Sequence, residues 1–478
     1  MKLQACVILI GLANLARGAS IQTPFSLDLS QLGGSSAVFG TTIASGLNFP
    51  YGITAGPTGS LFFAQSTPTS SVGLEYGAAP DTTGAVWQLQ ASGSGFGSPQ
   101  PVVGGLTGLL TSVQTLANGA LLVDSGAGDA GTRAMSFFST TGQSLGAINF
   151  SYPAGSAGNW EHSNGMSLVV PNANGTNTVY FIVGSQYDGA ATAGKVSLSG
   201  LVSTTLNADS VYMMTVGTAG GLVQVDGAPV QVATGLRNPF GLTLDANGDL
   251  VIGDNGIDGA HAVDELSADA LHAIPASQIG QQVFDFGFPG SYTLFGNGAY
   301  VNGDPGATPP LAVFTPMPDE NGALQKSEGL SALAYVAPGA MPFVGTEGGE
   351  FISFHGVFDA GGAANYDNAV LYYDFASGGI TPIVDAGNPA IGHIDGLLVE
   401  GSSLYMEEFS ATGEVNGLSG LGGGDIYDFN LSYAAPEPGT FWLALACLAL
   451  LAGGATASSR PTGWFARRHP CRRCPRRA

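Results

Sequence analysis

An all-β fold is what this sequence predicts, and three observations carry that prediction. Glycine and proline account for 74 and 27 of the 478 residues while only 10% of residues are charged, so turns must be many and long helices few. An apolar content of 44% is too high for a disordered chain, and the length suffices for a large core. In LTLDANGDLVIGD, Leu242, Leu244, Leu250 and Ile252 share one parity across a turn at Ala246-Asn247-Gly248, the period of a half-buried strand pair and not of a helix.

That strand–turn–strand unit recurs. Its clearest copies, GLNFPYGITAGPTGSLFFAQS from Gly46 and GLRNPFGLTLDANGDLVIGDNG from Gly235, align without a gap through Gly-Leu-x-x-Pro-x-Gly. Looser copies start at Gly105, His162, Glu328 and Gly392, which makes the successive intervals 59, 57, 73, 93 and 64 residues. Each interval can hold a four-stranded sheet, and radial repetition of such sheets predicts a six-bladed β-propeller over residues 40–430. The widest interval contains the run from Val263 to Gly298, expected as a long excursion over one face. Asp245, Asn247 and Asp249 mimic a calcium loop, but their place at a hairpin turn favours plain turn chemistry.

Both ends of the chain read as targeting segments. Residues 1–20 have an early lysine, an apolar run and small residues at Ala16, Gly18 and Ser20, as a signal peptide requires. At the other end an uncharged stretch of about 20 residues, near 440–458, is long enough to form a transmembrane helix. Clustered arginines follow it and would remain cytoplasmic, which places the large domain outside. With the tripeptide Pro436-Glu437-Pro438 ahead of it, the segment 436–478 resembles the PEP-CTERM sorting signal of Gram-negative bacteria. That resemblance implies export across the inner membrane, recognition by an exosortase, a transient membrane anchor, and a final place in the cell envelope, at the outer surface or in the medium.

Charge and cysteine follow the same division. Between residues 19 and 435 the only cations are Arg133, Lys195, Arg237 and Lys326, against 34 acids. Such a domain repels nucleic acid and anionic lipid and favours cations or neutral ligands, carbohydrate among them. Cys6, Cys447, Cys471 and Cys474 all lie in the terminal segments, so no disulfide braces the exported domain. Cys471 and Cys474 with His469 make a poor zinc site inside an arginine cluster.

Candidate chemistry gathers where the repeats enter their first strands. Arg237-Asn238-Pro239-Phe240-Gly241, then Gly253-Asp254-Asn255-Gly256, Asp264-Glu265-Leu266 and Phe286-Gly287-Phe288-Pro289, together with His162-Ser-Asn-Gly165, resemble motifs of the soluble glucose/sorbosone dehydrogenases. These are six-bladed propellers that use pyrroloquinoline quinone (PQQ) and calcium. The resemblance implies His162 as general base on a sugar hydroxyl, and Arg237 and Asn238 as quinone contacts. It implies the carbonyls of Gly256 and Ile257, with Asp264, as calcium ligands. The chemistry is coherent: a neutral imidazole takes the hydroxyl proton as hydride leaves for a calcium-polarised quinone. The alternatives are an Arg237 that ties blades together and a His162 that is an ordinary loop histidine.

The sequence departs from that family at Phe354-His355-Gly356 and Gly392-His393-Ile394-Asp395, where the family supplies further Lys and Arg and this chain has none. A triply anionic quinone would be poorly paired there, so calcium is expected at the site and PQQ is not. Two functions therefore compete: an exported, envelope-associated protein that binds carbohydrate or another neutral ligand through a degenerate dehydrogenase-type site, and a PQQ- and calcium-dependent sugar dehydrogenase. A metal-dependent lactonase would need a ring of Glu, Asn and Asp ligands that the sequence does not display. Three histidines, His162, His355 and His393, facing one channel would revive metal binding.

Overall fold

Six sheets of four to six strands, one for each sequence repeat, dominate the structure, a computed structural model describing residues 22–68, 82–93, 95–127, 132–153, 160–163, 165–257, 267–315, 329–356, 369–384, 391–410 and 421–432. The first strands are Pro50–Ala55, Leu109–Thr115, Ser167–Pro171, Asn238–Leu244, Leu330–Val336 and Ile394–Glu400, each a few residues after the start of its repeat. Each touches the first strands of both neighbours, the last meeting the first, so they close a ring around an axis. The chain is a six-bladed β-propeller, blades 1 to 6 in chain order.

The period of two read from the sequence is what packs the blades. In blade 4, Leu242 pairs with Ile252 and Leu244 with Leu250, and all four face blade 3 in one apolar cluster with Ile182, Val211 and Val232. Val251, of the opposite parity, packs with Leu330, Ile352 and Phe354 of blade 5. Equivalent clusters fill the remaining interfaces, so the core is a ring of wedges between sheets. The turn between the blade 4 strands is an Asx turn: Asp245 Oδ1 accepts the N–H groups of Asn247 at 2.8 Å and Asp249 at 2.9 Å, and Gly248 adopts φ +79°.

Two boundaries differ from expectation. The propeller begins before residue 40, because Val38–Leu47 pairs with Gly424–Asn430 and Gln22–Leu27 adds outside it, closing blade 6 with strands from the N-terminal end. The run from Val263 to Gly298 is only partly an excursion: Asp269–Ile274 is the third strand of blade 4, hidden from a repeat search because it has no glycine-leucine lead. Beyond it, Phe284–Asp285 pairs in parallel with Leu222–Thr234 of blade 3, and a hairpin joins Ser291–Thr293 to Tyr300–Asn302. The expected signal peptide, Asp264, Pro436, Glu437, Pro438 and the expected membrane segment lie outside the described residues. Among the described residues, no helix is long and apolar enough to cross a membrane.

Candidate functional site

Because the first two strands of every blade are antiparallel, the residues that enter the first strand and those that leave the second lie on one face of the ring. That topology gathers His162, Ser185, Arg237, Asn238, Asp254 to Ile257, His355 and His393 at one mouth of the axis.

Ser185 joins blades 3 and 4 there. Its N–H donates to Arg237 O at 2.8 Å, and its carbonyl accepts the N–H of His162 at 3.2 Å. Gly184 permits this approach, since a Cβ would stand 2.6 Å from His162 O and 2.7 Å from His162 Cβ. Ser185 Oγ donates to Tyr187 O at 2.8 Å, so His162 Nδ1, 2.8 Å from that Oγ and 3.2 Å from Ser185 O, is the donor. Its Nε2 is then left with the lone pair. Burial, reinforced by the nearby Arg237 guanidinium, holds the His162 pKa well below the usual imidazole range. A neutral ring with an unprotonated Nε2 is the state a general base or hydrogen-bond acceptor needs.

Arg237 is engaged within the fold. Its Nη2 forms an ion pair with Asp188, while Nε donates to Asp188 Oδ1 at 2.8 Å and to Asp188 O at 3.2 Å. The two side chains are 5% and 15% exposed, which makes this a largely desolvated pair. The main chain is held too: Asp254 accepts the N–H groups of Arg237 at 3.1 Å and Asn238 at 2.8 Å. Burial outweighs those hydrogen bonds and pushes Asp254 up to about 7.

Of the predicted calcium ligands, Gly256 and Ile257 are described and Asp264 lies outside the described residues. Gly256 donates its N–H to Asp269 Oδ1 at 2.8 Å, and Ile257 donates to Ser267 Oγ at 2.6 Å while its carbonyl accepts the Ser267 N–H at 3.2 Å. The described part of this loop is thus braced against blade 4's third strand. Across the mouth, His355 and His393 stack with ring centroids 4.2 Å apart, and His355 Nδ1 lies 2.8 Å from both oxygens of the buried Asp395. Glu407 is buried nearby, and burial, aided by Asp395, raises its pKa well above the carboxylate range. Among the described residues no three His, Cys, Asp or Glu side chains are grouped so as to hold a metal, so the three-histidine arrangement does not form.

Sequence reasoning thus located His162, Arg237 and Asn238 at one mouth but missed what holds them. Asp188 sits in a Tyr-Asp-Gly turn with no recognisable signal. Asp254 was visible inside the Gly253-to-Gly256 motif, and the cross-strand pairing of Pro239 with Asp254 would have marked it as the group that caps the Arg237 loop. Gly165 of the His-Ser-Asn-Gly motif has a structural cause: a Cβ would overlap the guanidinium of Arg133, which is buried in an ion pair with Asp124 at 2.7 Å.

No family model matches the sequence, and no curated protein is similar to it. Solved structures are similar in fold. The holo form of the pyranose dehydrogenase PQQ domain from Coprinopsis cinerea superposes with a TM-score of 0.50 at 14% identity, covering 81% of this chain and 94% of that one. The apo form of the soluble aldose sugar dehydrogenase from Escherichia coli gives a TM-score of 0.44 at 13% identity over 81% and 98%. The PQQ-bound aldose sugar dehydrogenase from Streptomyces coelicolor gives 0.39 at 14% over 81% and 96%. At that identity the likeness to the first of these is one of fold alone.

Proposed function

We propose that the protein is an exported, redox-silent β-propeller that binds a small neutral ligand, carbohydrate foremost, at a mouth shaped like a dehydrogenase site. The observation that carries this reading is the Arg237–Asp188 pair: the guanidinium expected to meet an anionic quinone is held by an internal carboxylate. Among the described residues the remaining cations are Arg133, buried against Asp124, and Lys195, exposed on a strand that extends blade 2. The residues present do not fit PQQ, whose carboxylates would meet near this mouth the buried acids Asp254, Asp269 and Asp395 and, among the described residues, no cation but the paired Arg237. The described residues do not by themselves make a calcium site either, because the Ile257 carbonyl and both Asp269 oxygens already accept main-chain N–H groups. Export rests on the signal-like start and the sorting-signal-like end of the sequence.

One observation favours the second reading, a quinone-dependent sugar dehydrogenase: the neutral His162 ring presents the nitrogen that such a reaction needs. Reconstitution separates the two. Purified full-length protein incubated with calcium and PQQ is expected to reduce no dye with a panel of aldoses. Sugar-dependent dye reduction that requires the quinone and disappears in His162→Ala would establish the dehydrogenase instead.

A further inference from the structure

Beneath the mouth the axis is closed by an aromatic stopper. Tyr51 of blade 1 meets Phe240 of blade 4, diametrically opposite, with ring centroids 5.7 Å apart, and Phe409 of blade 6 packs 5.9 Å from Tyr51, 5.0 Å from Phe49 and 5.8 Å from His355. The Phe409 N–H donates to His393 O at 2.7 Å, which ties the stopper to the loop entering blade 6. Phe49 is fully buried at φ +43°, a left-handed conformation that an aromatic residue keeps only while its surroundings enforce it. That strain is relieved once Phe409 withdraws.

Two residues before Phe409 sits a group that this packing cannot keep charged. Glu407 is fully buried, and neither of its carboxylate oxygens has a hydrogen-bond partner. Gly396, opposite it on the first strand, leaves only the room the carboxyl fills, since a Cβ there would overlap Oε2. The groups around it offer no counter-charge. Asp395 is a second buried acid, with His355 Nδ1 committed to it, and His393 Nδ1 is turned to His355 O at 2.5 Å. Blade 1 brings Tyr51 and the Gly52 N–H, which approaches without closing a hydrogen bond. Ile426 lies opposite on the third strand, and farther down the same side of the sheet are Tyr405 and its cross-strand partner Asp428. Glu408, Asp425 and Tyr427 turn to the other side, where the Tyr427 hydroxyl meets both acids. Arg133 and Arg237 are bound to Asp124 and Asp188, away from this cluster. Burial, aided by Asp395, therefore keeps a proton on Glu407 well above the usual carboxylate range.

Glu407 is the last but one residue of Ser403–Glu408, so fraying of that strand's mouth end is enough to bring it to water. It is neutral in the closed form and an ordinary carboxylate in the frayed one. Above about pH 4 the opening constant then rises by up to about ten-fold per pH unit, until the closed form ionises as well.

We propose that Glu407 is the catch of a proton-operated stopper: while it holds its proton Phe409 closes the axis, and loss of the proton frees the end of blade 6's second strand and opens the axis to the mouth. The device works whichever ligand the mouth takes.

Hydrogen exchange of the full-length protein at pH 5 and pH 8, corrected for the intrinsic rate at each pH, tests it. In the parent the opening constant of residues 403–410 should rise by about ten-fold or more, and by more than that of Asn177–Val183 in blade 3. Glu407→Gln and Glu407→Met should each cut the rise about ten-fold or more, whereas Glu408→Gln, on the other side of the sheet, should keep it. Neither Glu407 variant gives up a hydrogen bond, and Glu407→Met, with no polar atom to bury unpaired, serves should the amide fail to fold. An equal rise in the parent and a folded Glu407 variant overturns the proposal, as does a rise shared equally by blade 3 or one that Glu408→Gln abolishes.

Discussion

Arg237 shows how one residue can be legible in type and position yet not in role. Its neighbours Asn238 and Pro239 place it at the mouth, but whether it contacts a ligand or ties the blades depends on Asp188, 49 residues earlier in the chain, and no spacing rule connects the two. If the arginine is a tie, its removal strips a partly buried carboxylate of its guanidinium partner. Arg237→Ala should therefore destabilise the fold by about 3 kcal/mol, the low end of the range for breaking buried pairs because Asp188 retains some exposure. Restoring neutrality with Asp188→Asn in the same chain should recover part of that loss. Denaturant titration reads both, and an Arg237→Ala variant as stable as the parent would return the arginine to ligand binding.

At the level of the element, three of the six blades share a device that hydrophobic pattern does not reveal. Gln65, Asp254 and Glu408 occupy one register, opposite Pro50, Pro239 and Ile394. Each accepts an N–H from the loop entering its blade: Asn48 at 3.3 Å, Arg237 and Asn238, and Gly392 at 2.7 Å. Strand alternation was legible because it recurs every second residue, whereas these caps depend on pairing register, which only the folded sheet supplies. The cap has a pH cost. Burial is the main cause that pushes both Asp254 and Glu408 up to about 7. Their unfolded values are about 4, so between pH 4 and 7 the folded state holds more protons than the unfolded one, and stability falls as pH rises. Each group contributes a slope of up to about 1.4 kcal/mol per pH unit in that window. Glu408→Gln keeps an acceptor for Gly392 and can donate to Tyr427 Oη, whose hydroxyl lies 2.5 Å from Glu408 Oε2 in the parent. By thermal unfolding the variant should show a slope from pH 5 to 7 that differs from the parent's by up to that one-group contribution of about 1.4 kcal/mol per pH unit. An identical slope would mean that Glu408 does not titrate there.

Across the whole molecule, the count and phase of the blades were readable because each repeat carries its own first strand, while ring closure was not, because the strands from Gln22 to Leu47 match no repeat and act only through their partner Gly424–Asn430. That closure makes the two ends of the chain unequal. Removing residues 22–47 would leave Gly424–Asn430 as an open edge and strip Phe25, Leu27, Ala44 and Leu47 from the apolar clusters of blade 6. Removing residues 436–478 takes away no blade strand, because the last one ends at Asn430, whose side chain caps the N–H of Ser432 at 3.0 Å. The chain lacking 436–478 should therefore unfold at the parent's temperature, and it should leave the membrane fraction for the periplasm or medium, since the membrane-spanning and basic character expected from the sequence lies in that segment. Cell fractionation and thermal unfolding of that truncation test the two statements separately. A lowered melting temperature would mean that the tail braces the propeller, and unchanged membrane association would remove the sorting-signal reading while leaving the fold as described.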